Sequence, residues 1–417
     1  MVTEFVISEV LQARLRRSVL AAGVEPFVLH LTSHGYAPRT IGVYVDAVAH
    51  LARWMRRARA SFARLDERLI ERFIGQHLPR CRCPEPCCRV TSNVRAAGRL
   101  FIKVSRQAGL LRASVHGAPA APELAAFRDY LSVSQGLAES TQRARLRIIA
   151  DFFRWRFGRK VPRPAQLTVS DVQRFVTAHC VGAAAGNAAV TACALRSYLR
   201  FRALAGQAVA ALLAAVPAVA QWPLERLPQV LDDTLIQAIE QTFDVSTAGG
   251  ARDRAMFRLM LDLGLRVSEV ARIKLQDIDW RRGVLHIAAG KSRRMDTLPL
   301  GRNVAKAIIQ YLRVARPPTT LRTLFVRKTA PVNLPIQLDA VRAAMRQAYR
   351  RCGHPELCAR THVLRHTAAS RMLRAGAPLK QIADVLRHRS LDTTTIYAKV
   401  DAVRLAAVAM AWPGSQL

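Results

Sequence analysis

Apolar positions recur at helical spacing along most of the chain. Ile148, Ile149, Phe152 and Phe153 form one such set, after a Ser140-Thr141 start. Asp253-Arg254-Ala255-Met256 opens another amphipathic run, through Leu259, Met260 and Leu263, and Gly264 ends it as a C′ glycine does. The period then changes. V-L-H-I-A-A-G-K-S-R-R-M-D-T-L-P-L predicts two short strands joined by a turn at Gly290 to Arg293. Helical spacing resumes through Tyr311, from Val341 to Tyr349, from His366 to Leu373, and from Leu379 to Leu386. Gly376 stops the third of these and Pro378 opens the fourth. The expected fold is mainly α, with helical bundles first and then a mostly helical domain carrying one small antiparallel β-sheet.

Two proline-rich stretches punctuate this pattern, residues 112 to 122 and Pro217 to Pro228. Proline holds itself and its predecessor extended, so both read as linkers. They divide the chain into 1–112, 122–210 and 228–417. The first two segments read as copies. Gly35, Thr40 and Trp54 match Gly136, Thr141 and Trp155 at an offset of 101 (136 − 35). Arg72-Phe73 and His77 match Arg174-Phe175 and His179 at 102 (174 − 72), and Ala108-Gly109 matches Ala205-Gly206 at 97 (205 − 108). The first copy is therefore longer by five residues (102 − 97) after its histidine, where Cys81, Cys83, Cys87 and Cys88 lie.

Composition narrows the partner. The 417 residues carry 64 Lys and Arg against 29 Asp and Glu, a net charge of +35. Such an excess fits a polyanion, because each contacted phosphate releases condensed counterions. Nucleic acid is the first reading and an anionic membrane the rival. The N-terminus lacks a basic leader, and the apolar run from Ala208 to Ala220 is too short to span a membrane. The expected location is cytoplasmic, with reduced cysteines. Cys-x-Cys, then Cys-Cys, with His77 beside them, has donors for zinc, but lacks the familiar paired CxxC spacing; no metal or other cofactor is assigned. Cys352 and Cys358 read as packing.

The third segment holds a specific set of charged side chains. Arg266 sits in L-G-L-R-V-S-E, Lys291 in G-K-S-R-R, His362 and Arg365 in H-V-L-R-H, His388 in R-H-R-S-L-D, and Tyr397 behind T-T-T-I. Arginine suits the nonbridging oxygens of a phosphate under attack, since its fork donates bidentate hydrogen bonds and keeps its charge. His362 and Arg365, three apart, share a helical face. A lysine among arginines can give a proton to a leaving oxygen. A phenol near cations can become the nucleophile. Glu269 is expected to orient the Arg266 turn, and Asp277 and Asp279 fall in a turn before the hairpin. No pair of carboxylates suggests two-metal chemistry. Tyr311 and Tyr349 read as structural.

Taken together, these motifs resemble the catalytic segment of the tyrosine recombinases, or phage integrases. The G…T…W pattern of residues 122–210 resembles their core-binding domain. The resemblance implies a site-specific recombinase that cuts double-stranded DNA through a 3′-phosphotyrosine, without metal or ATP. It implies Arg266 and Arg365 as the phosphate clamp and Lys291 as general acid. It also implies His362 for proton handling, His388 as a phosphate donor and Tyr397 as nucleophile. His366 matches a common position with no assigned chemistry. Family members often have glycine just before the last histidine, where this chain has Arg387. A homo- or hetero-tetramer on DNA is implied, and the tail after Tyr397 is expected to dock on a neighbouring subunit. Integration or transposition of a mobile element is the leading role. The alternatives are a chromosome-dimer-resolving recombinase, a type IB topoisomerase-like enzyme and a non-catalytic DNA-binding accessory subunit.

Overall fold

The computed structural model describes residues 15–84, 87–111, 120–158, 160–181, 185–219, 228–287, 295–359, 362–388 and 392–398. Residues 1–112 and 226–417 cluster as one compact unit and 113–225 as another. The first and third sequence segments therefore share a unit, and the Val332 amide donates to the His34 carbonyl at 2.9 Å. No described helix is long and apolar enough to cross a membrane.

The N-terminal segment is built from α1 (Ala21–Ser33), α2 (Pro38–Arg57), α3 (Glu67–Arg72), continued by a π turn over Phe73–His77, and α4 (Thr91–Gln107). Its core is formed by Phe27, Leu31, Val45, Met55, Ile70, Phe73, Phe101 and their neighbours. Gly98 lets α3 and α4 approach: a Cβ there would lie 2.8 Å from the Ile70 side chain.

The second unit holds α5 (Ala121–Asp129), α6 (Glu139–Phe157), α7 (Val169–Cys180), α8 (Ala185–Leu204) and α9 (Ala210–Ala214). Phe127, Ile149, Phe152, Phe175, Leu195 and Tyr198 centre its core. α6 starts at Glu139, one residue before the expected start, because Ala138 already has the extended cap conformation. Arg145 points inward to Ser197 Oγ at 2.8 Å, whereas Arg143 and Arg147 face solvent.

The two segments repeat one another in geometry. The caps of α2 and α6, Ala37 and Ala138, have φ/ψ of −62/143 and −60/142. Trp54 tilts onto Phe73 with centroids 5.3 Å apart, and Trp155 onto Phe175 at 5.7 Å. His77 stacks on Phe73 at 5.1 Å and His179 on Phe175 at 4.9 Å. Gly35, Gly136, Gly109 and Gly206 all have positive φ, which favours glycine.

The third segment opens with α10 (Asp233–Gln241) and α11 (Ala248–Asp262). α11 begins before the expected Asp253. The Thr247 hydroxyl accepts from the Gly250 amide, and a Cβ on Gly250 would lie 1.9 Å from the Asp244 carbonyl oxygen. The paired glycines permit this tight start instead of breaking the helix. α12 (Val267–Val270) follows, then an antiparallel sheet of order β1 (Ile278–Asp279), β2 (Val284–Ile287), β3 (Asp296–Pro299). Leu285 faces Leu298 and Ile287 faces Asp296 across β2 and β3. Asp279, expected in a turn, forms the end of β1, and its carboxylate accepts from the Arg281 and Arg282 amides as the chain turns. The remaining helices are α13 (Arg302–Gln310), α14 (Leu338–Arg351), α15 (Val363–Arg374), α16 (Leu379–Leu386) and α17 (Asp392–Ala398). A large core runs through Phe257, Leu261, Leu285, Ile308, Met345 and Leu364. α15, α16 and α17 close a smaller cluster around Leu373, Ile382, Leu386 and Tyr397.

Candidate active site

The site begins where α11 ends. Gly264 has φ +60, and a Cβ there would lie 2.5 Å from the Leu386 side chain, so glycine is required twice. The turn delivers Arg266 to the N-cap of α12. Glu269, three residues on, accepts from the Arg266 amide at 2.7 Å and from its guanidinium at 2.9 Å. This fits the orienting role expected of Glu269.

Glu269 also accepts from Arg387 at 2.7 Å. Arg387 occupies the C-cap of α16 at φ 56 and ψ 49, a left-handed conformation that favours glycine. Its side chain is only 8% exposed. Burial alone would raise the Glu269 carboxyl, yet Arg387 and the Arg266 amide hold it below the usual carboxylate range. An Arg387→Gly substitution relieves the strained φ but removes half of a buried ion pair, a loss on the order of 3 kcal/mol when one partner is left behind. The variant is expected to melt at lower temperature and to slow the DNA cleavage implied by the sequence resemblance about tenfold, as the Glu269 that orients Arg266 loses its second partner. Thermal melting alongside single-turnover cleavage checks both.

Arg365 lies in the first turn of α15 and is 5% exposed. It donates to the Gly264 carbonyl at 2.7 Å and to the Leu386 carbonyl. Those two bonds tie the ends of α11 and α16 to one guanidinium. Burial first, then the Arg266 charge, pushes Arg365 down to about 9, which leaves it cationic at neutral pH. Three arginines (266, 365 and 387) thus share one close carboxylate, Glu269. The net positive charge in a partly desolvated site suits an anion.

Tyr397 is 1% exposed on α17. Its hydroxyl lies 3.0 Å from His366 Nδ1, and its ring stacks on His388 with centroids 6.4 Å apart. Burial raises the phenol above its ordinary range, while Arg365 and Arg266 pull in the opposite direction. His362, at the N-cap of α15, is lowered by burial, Arg365 and Arg266. His366 is lowered by burial and by His362 and Arg365. His388 is pushed down to about 4 by burial, Arg365 and Arg266. In all three the shift favours the neutral imidazole at pH 7. His388 Nδ1 lies 2.6 Å from Thr394 Oγ1, a buried hydroxyl one helical turn before Tyr397.

The structure therefore brings Arg266, His362, Arg365, His388 and Tyr397 into one electrostatic neighbourhood. Lys291 lies outside the described residues, as does the tail after residue 398; the flanking strands β2 and β3 pair as expected. The fold gives roles to three residues that had none in the sequence. Arg387 and Thr394 act through partners distant or unremarkable in sequence. His366 was visible in the H-V-L-R-H box but had no assigned chemistry.

Comparison with known proteins decides the family. The phage integrase family model matches residues 229–404. "Putative integrase/recombinase y4rA" of Sinorhizobium fredii is 31% identical over 412 residues, covering 98% of each chain. The chain belongs to the phage integrase family. This recombinase is also 36% identical over 186 residues to the tyrosine recombinase XerD of Xanthomonas campestris, covering 42% of the chain and 56% of that protein. Among solved structures, its fold is similar to that of a lambda integrase dimer bound to a COC′ core site. That match has TM-score 0.52 and 17% identity, covering 66% of this recombinase and 94% of that chain. It is also similar to the XerH site-specific recombinase bound to a palindromic difH substrate. Here the TM-score is 0.51 and the identity 15%, covering 93% and 94% of the two chains.

Proposed function

We propose that this recombinase cuts and rejoins DNA strands with Tyr397 as the nucleophile. The observation that carries the assignment is the 3.0 Å contact between the Tyr397 hydroxyl and His366 Nδ1, in a site charged by Arg266 and Arg365. The Tyr397 Oη attacks the phosphorus as its proton passes to neutral His366. The bond from phosphorus to the 5′ oxygen breaks, leaving a 3′-phosphotyrosine and a 5′ hydroxyl. Arg266 and Arg365 hold the nonbridging oxygens as charge builds on them. If Thr394 donates to His388 Nδ1, the His388 Nε2 carries its hydrogen toward the phosphate. His362 stands beside Arg365 for proton handling. Lys291, assigned on the family motif, gives the leaving oxygen its proton. Rejoining reverses each step, so no nucleotide is consumed.

Residues 122–210 would grip DNA as a core-binding domain. Residues 1–112 would be a related helical segment, and residues 228–417 would do the chemistry. A cytoplasmic location is proposed with it, in keeping with a DNA substrate. Multimeric assembly on DNA is inferred from family membership. The leading biological role is integration or transposition of a mobile element. The test pairs two assays: exchange between duplexes taken from the ends of the DNA segment that carries this gene, and relaxation of an arbitrary supercoiled plasmid. Recombinant products support this reading; relaxation without exchange supports a topoisomerase.

The low histidine pKa values set a pH expectation. The neutral form of His366 is the one that accepts the Tyr397 proton, so a lowered pKa keeps the base competent to lower pH. The acid limb of cleavage at subsaturating DNA is expected below the ordinary histidine value of about 6.5. A midpoint at or above that value would remove His366 as the base.

A further inference from the structure

The cysteine-rich insertion of the first repeat meets a residue that its sequence gives no reason to expect. His50 lies on α2, 1% exposed, within the apolar core of the N-terminal segment. Its Nε2 lies 3.1 Å from His77 Nε2 and 3.3 Å from Cys81 Sγ. Cys83 Sγ, also buried, lies 3.6 Å from His77 Nε2. The four donor atoms of His50, His77, Cys81 and Cys83 all lie within 4.8 Å of one another. A tetrahedral zinc with bonds of about 2.0 Å to nitrogen and 2.3 Å to sulfur separates its donors by roughly 3.3 to 3.8 Å. The observed spacings need only small adjustments to enclose that ion.

We propose that His50, His77, Cys81 and Cys83 form a structural zinc site in the N-terminal segment. The surrounding bonds suit it. His50 Nδ1 lies 2.9 Å from the Cys88 carbonyl and donates to it, which leaves the Nε2 lone pair facing the other donors. The Cys83 amide donates to Cys81 Sγ at 3.4 Å and Arg57 donates to Cys83 Sγ at 3.6 Å. Both bonds point donors at the sulfurs, as is usual around coordinated sulfur. Arg89 holds the Cys83 carbonyl at 3.0 Å and fixes the turn between the ligands. Binding would release two thiol protons and leave a neutral Cys₂His₂ centre. All four positions would be filled by protein, the arrangement of a structural rather than a catalytic zinc.

The second repeat provides an internal control. His179 keeps the stack on Phe175 that His77 makes on Phe73. Yet the position matching His50 is Asp151 (50 + 101), and the cysteine-bearing stretch is missing. Ring stacking thus explains the histidine common to both copies. It does not explain His50, Cys81 and Cys83 converging in the first copy alone. The geometry also separates the cysteines: Cys81 and Cys83 are ligands, whereas Cys88 contributes its carbonyl and Cys87 lies outside the donor set.

The full-length protein, purified in reductant without chelator, should contain about one zinc per chain by plasma mass spectrometry. Cobalt(II) added after zinc removal should give the visible bands of a tetrahedral centre and a thiolate charge-transfer band. The Cys81→Ser/Cys83→Ser double variant should lose both metal and band. The Cys87→Ser/Cys88→Ser double variant should keep them. Should the first variant misfold, the cobalt titration of the wild type and the second variant still decide the matter. Zinc-free wild-type protein with no thiolate band on cobalt addition would overturn the site. So would loss of the band in the Cys87→Ser/Cys88→Ser variant together with its retention in the other.

Discussion

Tyr397→Phe is expected to abolish the covalent protein–DNA adduct while leaving DNA binding within about twofold of wild type. The phenol oxygen is the atom that would bond to phosphorus, and no other tyrosine among the described residues stands in the site. Tyr311 and Tyr349, the other fully buried tyrosines of this segment, belong to the large core and lie outside the site. Phenylalanine preserves the packing of the ring among Leu373, Ile382 and Leu386 and loses only the hydrogen bond to His366. A stability change of about 1 kcal/mol is therefore the most expected from that bond. Loss of chemistry with retained binding and folding separates a nucleophile from a core tyrosine. Denaturing gels of a nicked substrate, run beside a binding isotherm and a melting curve, read all three.

Arg365 carries the next largest effect. Removing one preorganised donor to a developing oxyanion costs about 10²- to 10³-fold in rate, and Arg365→Ala is expected to lose at least that in single-turnover cleavage. The same change orphans the Gly264 and Leu386 carbonyls, at about 1–3 kcal/mol for each buried group left unpaired. A lowered melting temperature should therefore accompany the rate loss. Arg365→Lys distinguishes the two effects. It keeps the charge but cannot span both carbonyls and a phosphate with one planar fork. Its cleavage rate should fall well below wild type even where its melting point largely recovers. Wild-type cleavage in the lysine variant would reduce Arg365 to a source of charge.

The parts of this molecule written in local sequence were the legible ones. Glu269 could be assigned to Arg266 because three residues separate them and the amide and side chain are reached together. The segment from Leu379 to Leu386 was opened by Pro378, two residues after the Gly376 that stops the helix before it, and the helix starts there. Longer-range dependencies were hidden. Arg387 reads as a departure from a glycine position until its partner Glu269 is seen, 118 residues earlier in the chain. His50 drew no reading from the sequence, because the side chains it meets, His77, Cys81 and Cys83, lie beyond the next helix. Gly249 and Gly250 lie ahead of the expected helix start at Asp253, and only the Asp244 carbonyl against Gly250 and the Lys328 side chain against Gly249 explain why the helix starts there. Thr394 is one of three consecutive threonines, and only the fold selects the one that meets His388.

The central claim is that Tyr397 becomes covalently joined to the 3′ end of a cut DNA strand. Its most direct test uses the full-length protein on a cognate duplex nicked so that the freed 5′ end diffuses away and the intermediate accumulates. After denaturation, trypsin and nuclease, mass spectrometry reads the site of attachment. Cleavage after Arg389 and Lys399 isolates the peptide S-L-D-T-T-T-I-Y-A-K, which contains one tyrosine. The account predicts a nucleotide on Tyr397 through a 3′ phosphate, with a free 5′ hydroxyl on the other strand end. An adduct on any other residue, or a 5′ linkage, would contradict it.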